Sequence, residues 1–118
     1  MSTRIRVLLA DDHALVRAGL RALLASLEGV EVIAEAANGR DAARLAREHR
    51  PDIAMIDVTM PELNGIDCAR RIVRDCPETR VLMLSVHADE IYVRESMQAG
   101  AAGYILKDSA PGELELAL

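Results

Sequence analysis

The sequence predicts an α/β fold, a doubly wound five-stranded parallel sheet in the order 2-1-3-4-5 with helices on both faces. Three observations predict it. Apolar runs of strand length alternate five times with helical patterns. The runs are apolar almost without interruption, as strands covered on both faces are. Turn and cap residues (Gly29, Asn38, Pro51, Gly65, Pro77, Gly100 and Gly103) fall between the runs. Five strand–helix units in this order imply a parallel sheet.

Each element has its own justification. Residues 5–10 form the first strand. Residues 14–27 follow as a helix, with Val16, Leu20, Leu23, Leu24 and Leu27 on one face, Arg17 and Arg21 on another, and Gly29 as its stop. Residues 30–36 are the second strand. Asn38 caps the second helix, which runs to about His49 with Ala42, Leu45 and Ala46 inward and Arg40, Arg44 and Arg47 outward. After Pro51, residues 53–56 are the third strand. The third helix spans 66–76, with Ile66, Ala69, Val73 and Cys76 on one stripe, and Pro77 stops it. Residues 80–84 are the fourth strand, 90–99 a less cleanly amphipathic fourth helix, and 104–106 the fifth strand. Ser109, Pro111 and Glu113 mark the start of a fifth helix, which Leu118 leaves short.

The 118 residues suit one compact domain. Apolar residues make up 51% of them, but Phe and Trp are absent, so Ala, Val, Leu, Ile and Met must build the core. The net charge is −5, with both signs mixed along the chain, and no basic run suggests nucleic-acid binding by this segment. The apolar stretch before Asp11 is too short for a signal peptide or a membrane span, so a cytoplasmic location without membrane contact is expected. Cys68 and Cys76 lie about 12 Å apart along one helix, beyond disulfide reach, and are expected as free thiols. Thirteen arginines stand against a single lysine, Lys107. Such a bias points to a place where a compact charge on a slim stem serves and a broad planar fork does not.

The chemistry lies at the strand ends. The first strand ends in Asp11 and Asp12, the third in Asp57, the fourth in Ser85 and the fifth in Lys107. In a parallel sheet these ends share one edge, where ligands bind. Three carboxylates there repel one another unless a cation or protons neutralise them. An all-oxygen cluster suits Mg²⁺, and with Lys107 and Ser85 beside it, it suits a phosphoryl group. Any one of these residues alone would read as a helix cap or a solvated side chain.

The run Leu9, Ala10, Asp11, Asp12, His13, the segment from Asp57 through Val58, Thr59, Met60, Pro61, Glu62, Leu63 and Asn64 to Gly65, the strand 81–85, and the ending Gly103, Tyr104, Ile105, Leu106, Lys107, Asp108 resemble the receiver domain of bacterial two-component response regulators. The resemblance covers essentially the whole chain. It implies a phosphorylation switch, not an enzyme acting on other molecules. Asp57 is the implied phospho-acceptor. Asp11, Asp12, Asp57 and the backbone carbonyl of Thr59 are the implied Mg²⁺ ligands. Lys107 is the implied partner of Asp57 and its phosphate, with Ser85 and Tyr104 as a switch pair. Thr59 and His87, each two residues past a site residue, are expected to tune the lifetime of the phosphoryl group. Pro61 and Gly65 are expected to shape the loop after Asp57, glycine supplying backbone angles that other residues avoid. The implied partners are a sensor histidine kinase and a second receiver in a homodimer.

Asp108, where many receivers carry proline, and the stretch Tyr92, Val93, Arg94, Glu95 followed by Ala99, Gly100, Ala101 resemble the NarL/FixJ (LuxR-type) subgroup. Members are mostly transcription regulators with a C-terminal helix-turn-helix domain. Residues 1–118 are therefore expected to be a receiver excised before such a DNA-binding domain, its fifth helix truncated. The alternatives are a stand-alone receiver that docks to a partner, or a phosphohydrolase with an aspartate nucleophile. The latter needs a second acid where this chain has Thr59.

Overall fold

The computed structural model describes residues 4–60, 62–86 and 89–107. The expected fifth helix lies outside them. The elements are β1 (Ile5–Ala10), α1 (Ala14–Ala25), β2 (Val30–Ala36), α2 (Gly39–His49), β3 (Ile53–Asp57), α3 (Gly65–Asp75), β4 (Arg80–Ser85), α4 (Glu90–Gln98) and β5 (Gly103–Leu106). All strand pairs are parallel, in the order β2-β1-β3-β4-β5. Among the described residues, no helix is long and apolar enough to cross a membrane.

Strand alternation divides the core into two. Val7 and Leu9, Ile53 and Met55, and Leu82 and Leu84 pack on one face with Leu20 and Leu24 of α1. Leu8 and Ala10, Ala54 and Ile56, and Val81 and Met83 pack on the other, against alanines of α2 and Ile66, Cys68, Ala69 and Ile72 of α3. Small side chains on α2 let the helix lie close to the strands, and this replaces the missing aromatics as a way to fill space.

The helix limits differ from expectation in instructive ways. α1 stops at Ala25, before Leu27 and well before Gly29. The Ser26 hydroxyl donates to the Leu23 carbonyl at 2.6 Å and takes an acceptor that would otherwise continue the ladder. Val16 is exposed, not inward, and Leu15 beside it is 86% exposed. Arg17, expected outward, is only 23% exposed because it bridges to Glu35 of β2. α2 is capped by Asn38 as expected, its side chain accepting from Asp41 N at 2.8 Å. α3 starts at Gly65, one residue early, because Asn64 caps it in the same way. Ser96 is the buried residue of α4, which accounts for the weak apolar pattern there.

Both cysteines are free and buried. Burial pushes the Cys68 thiol up from 9.0 to about 12, with Arg71 pulling slightly the other way. The unfolded chain loses this proton as pH rises past 9 and the folded chain keeps it, so stability should fall between pH 9 and about 12. A thiol reagent at pH 8 should leave Cys68 unlabelled until denaturant is added. Labelling at the rate of a free thiol would show that α3 is not packed as described.

Candidate functional site

The order of strands reverses between β1 and β3, so a crevice opens beyond their carboxyl ends. Asp11 and Asp12 leave β1 there, Asp57 closes β3, Ser85 closes β4 and Lys107 follows β5. Backbone bonds fix these positions. Asp11 N donates to Ala36 O at 3.0 Å, and Val58 N donates to Leu84 O at 2.9 Å. Arg17 reaches back from α1 to donate to the Asp11 carbonyl at 2.6 Å.

Lys107 Nζ lies 2.7 Å from Asp11 Oδ2 and 3.4 Å from Asp57 Oδ2. The lysine was expected to pair with Asp57, but its shorter contact is with Asp11. Both carboxylates are buried, so each needs the ammonium. Both Oδ2 atoms are buried and accept no well-aligned hydrogen bond, so the ammonium charge is what offsets their burial. Burial raises the Asp57 carboxyl to about 6. Lys107 opposes that shift, Asp11 adds to it, and the Thr59 N–H, 3.4 Å from Oδ1, opposes it weakly.

Asp11, Asp12, His13 and Asp57 each offer a ligand atom within 4.8 Å of the others. Sequence reasoning named the three carboxylates and missed His13. Its only signal was its place directly after the acidic pair. Three carboxylates against one ammonium leave the crevice negative and rich in oxygen donors, a set that fits a divalent cation.

Ser85 is buried, and Tyr104 is half-buried against the α2–α3 side of the core. The register pairs Met83 with Tyr104 and Ser85 with Leu106, so Ser85 and Tyr104 share a sheet face on neighbouring strands. Thr59 is exposed beside the crevice. Pro61 and His87 lie outside the described residues.

Gly65 serves for a reason other than the expected one. Its φ is not positive; the left-handed residue of the loop is Glu62, at φ 67°. What demands glycine is space, because a Cβ on Gly65 would fall 1.8 Å from the carbonyl oxygen of Asp57.

Comparison with known proteins agrees with this fold. The response regulator receiver domain family matches residues 7–118. The response regulator UvrY of Escherichia coli (strain K12) is 41% identical over 114 residues, 97% of this chain and 52% of that protein. The transcriptional regulatory protein YhcZ of Bacillus subtilis (strain 168) is 39% identical over 110 residues, 93% of this chain and 51% of its own. The chain thus spans about half the length of the curated relatives it matches. A crystal structure of a LuxR-family two-component response regulator from Aurantimonas sp. SI85-9A1 superposes with a TM-score of 0.92 at 39% identity, covering 98% of this chain and 82% of that one. With the family match, the relatives and the fold in agreement, the chain belongs to the response regulator receiver domain family, in its NarL/FixJ (LuxR-type) subgroup.

Proposed function

We propose that this receiver is switched by a phosphoryl group on Asp57. The observation that carries the reading is the meeting, at one sheet edge, of the buried Asp57 carboxylate, Asp11, Asp12 and the chain's single lysine. The donor is the phosphohistidine of a sensor histidine kinase. A carboxylate oxygen of Asp57 attacks phosphorus in line, the phosphorus–nitrogen bond breaks, and an acyl phosphate remains. Lys107 pairs with the phosphoryl oxygens, and the Ser85 hydroxyl donates to one of them. Asp11, Asp12, Asp57 and the Thr59 carbonyl would hold Mg²⁺, whose charge, when bound, offsets that of carboxylate and phosphoryl together.

Ser85 moves toward the phosphoryl group and frees space for the Tyr104 ring, a coupling that their shared sheet face supports. Thr59 and His87 tune the lifetime of the acyl phosphate. The parent protein continues into a helix-turn-helix domain that binds DNA, and phosphorylation changes how receivers pair or hold that domain. The half-length match to UvrY and YhcZ and the LuxR-family neighbour support this output. Incubation with acetyl phosphate and Mg²⁺ should add one phosphoryl group per chain by mass spectrometry. No incorporation would overturn the reading.

Lys107 has a sharper test. Its side chain is 11% exposed and threads between two carboxylates, where a guanidinium is too wide. Lys107→Arg should fold with a loss of about 1–3 kcal/mol from overpacking, yet show none of the amide shifts that beryllofluoride induces in the wild type. Unchanged shifts would count against the role assigned to the lysine.

A further inference from the structure

Arg17 and Glu35 have no part in the scheme above, yet the fold holds both behind the acidic pair. Strand β2 changes register beside β1: Val7 pairs with Val32, while Leu8 pairs with Ala34. Ile33 is the extra residue of a bulge, and the side chains beyond it swap faces. Val30 and Val32 therefore pack on the α1 side of the sheet, and Ala34 and Ala36 on the α2–α3 side. Glu35, opposite Leu9, is thereby turned toward α1. Unbroken alternation would have put it on the other face.

The Glu35 carboxylate is braced from both sides. Its Oε1 lies 3.3 Å from Arg17 Nε, and its Oε2 lies 3.1 Å from Arg21 Nη1. A planar guanidinium held at Nε has its remaining N–H groups fixed in direction. Arg17 Nη1 donates to the Asp11 carbonyl at 2.6 Å, a short, charge-assisted bond. That carbonyl belongs to the peptide that joins Asp11 to Asp12, and a peptide is planar, so gripping its oxygen fixes the whole unit. The orientation of that unit sets where the Asp12 side chain leaves the backbone. Asp11 is buried and also held by Lys107, whereas the Asp12 side chain is 30% exposed, so its direction depends more on the backbone.

We propose that Arg17 is a positioning residue for phosphoryl transfer: braced by Glu35, it fixes the Asp11–Asp12 peptide and so aims the Asp12 carboxylate into the crevice. Arg17 touches none of the reacting atoms and acts through the backbone. The bulge in β2 is what supplies the brace. The inference rests on the reading of Asp57 as phospho-acceptor and adds two residues to that site.

Arg17→Met keeps an unbranched stem and removes the donors. In the metal-free 118-residue chain it should move the Asp11 carbonyl ¹³C and Asp12 amide ¹⁵N resonances. With acetyl phosphate, the Mg²⁺ concentration for half-maximal phosphorylation should rise about tenfold. The rate at saturating Mg²⁺ should change by less than about twofold. Glu35→Ala should give the same pattern, and the double variant no larger an effect than either single one, because the two act as a unit. Arg44→Met breaks ion pairs with Asp41 and Glu48 on the exposed side of α2 and should change none of these readings. A lower melting temperature in Arg17→Met with an unchanged Mg²⁺ requirement would overturn the proposal and leave Arg17 a structural residue. Additive losses in the double variant would also overturn it. Wild type that takes up no phosphoryl group at any Mg²⁺ concentration would overturn the phospho-acceptor reading, and this proposal with it.

Discussion

Asp57→Asn should abolish phosphoryl incorporation from acetyl phosphate while leaving a protein at least as stable as the wild type. Both halves follow from one position. The carboxylate is buried at the end of β3, raised to about 6 chiefly by burial, and Asp11 adds repulsion. A shift of that size is a penalty on the order of 3 kcal/mol on the charged form. An amide keeps the shape and loses both the charge and the nucleophile. Lys107 keeps its 2.7 Å contact to Asp11, so it is not stranded. We expect a gain of about 1–2 kcal/mol in urea unfolding, with no phosphoryl adduct by mass spectrometry. Incorporation at the wild-type rate would sink the acceptor assignment. Strong destabilisation would sink the account of the buried charge.

Gly65→Ala should produce the largest loss of stability among conservative changes near the site. The added Cβ would lie 1.8 Å from the Asp57 carbonyl oxygen and 2.8 Å from the Val58 Cα. These are backbone atoms, so no rotamer relieves the clash. Gly65 N also donates to Val58 O at 2.9 Å, which holds the helix start against the strand end. The chain must separate the two, at about 3 kcal/mol or more, and the separation displaces Asp57. Urea midpoints and phosphoryl incorporation should fall together. A variant of wild-type stability would show that the approach of α3 to β3 is looser than described.

The order of the elements and the edge that carries the chemistry were legible because both depend on short-range signals. Strand-length apolar runs fix the alternation, and a polar residue just past each run fixes the edge. Three features were not legible, for physical reasons. The end of α1 depends on one Ser26 hydroxyl outcompeting the helix ladder, while Gly29 gave the stronger signal. Arg17 turns inward because Glu35, on a different element, offers it a partner at 3.3 Å. The shorter contact of Lys107 with Asp11 depends on where the ends of β1, β3 and β5 bring the three side chains in space, which linear order does not encode. His13 was overlooked because a lone histidine after two aspartates has no period or spacing to flag it. Only the fold sets its ring between them.

The position of Lys107 has a practical consequence. A chain with thirteen arginines and one lysine carries a single side-chain amine, and that amine sits between Asp11 and Asp57. Protein grown on ¹⁵N-lysine should therefore give one side-chain ammonium resonance, with no assignment problem. Its protons, held by buried carboxylates, should exchange with water slowly enough to be seen, unlike those of a solvated lysine. The same resonance would then report cation binding, phosphoryl transfer and hydrolysis at the crevice in real time. It is an isotope reporter built into the natural sequence at the atom where the charge changes.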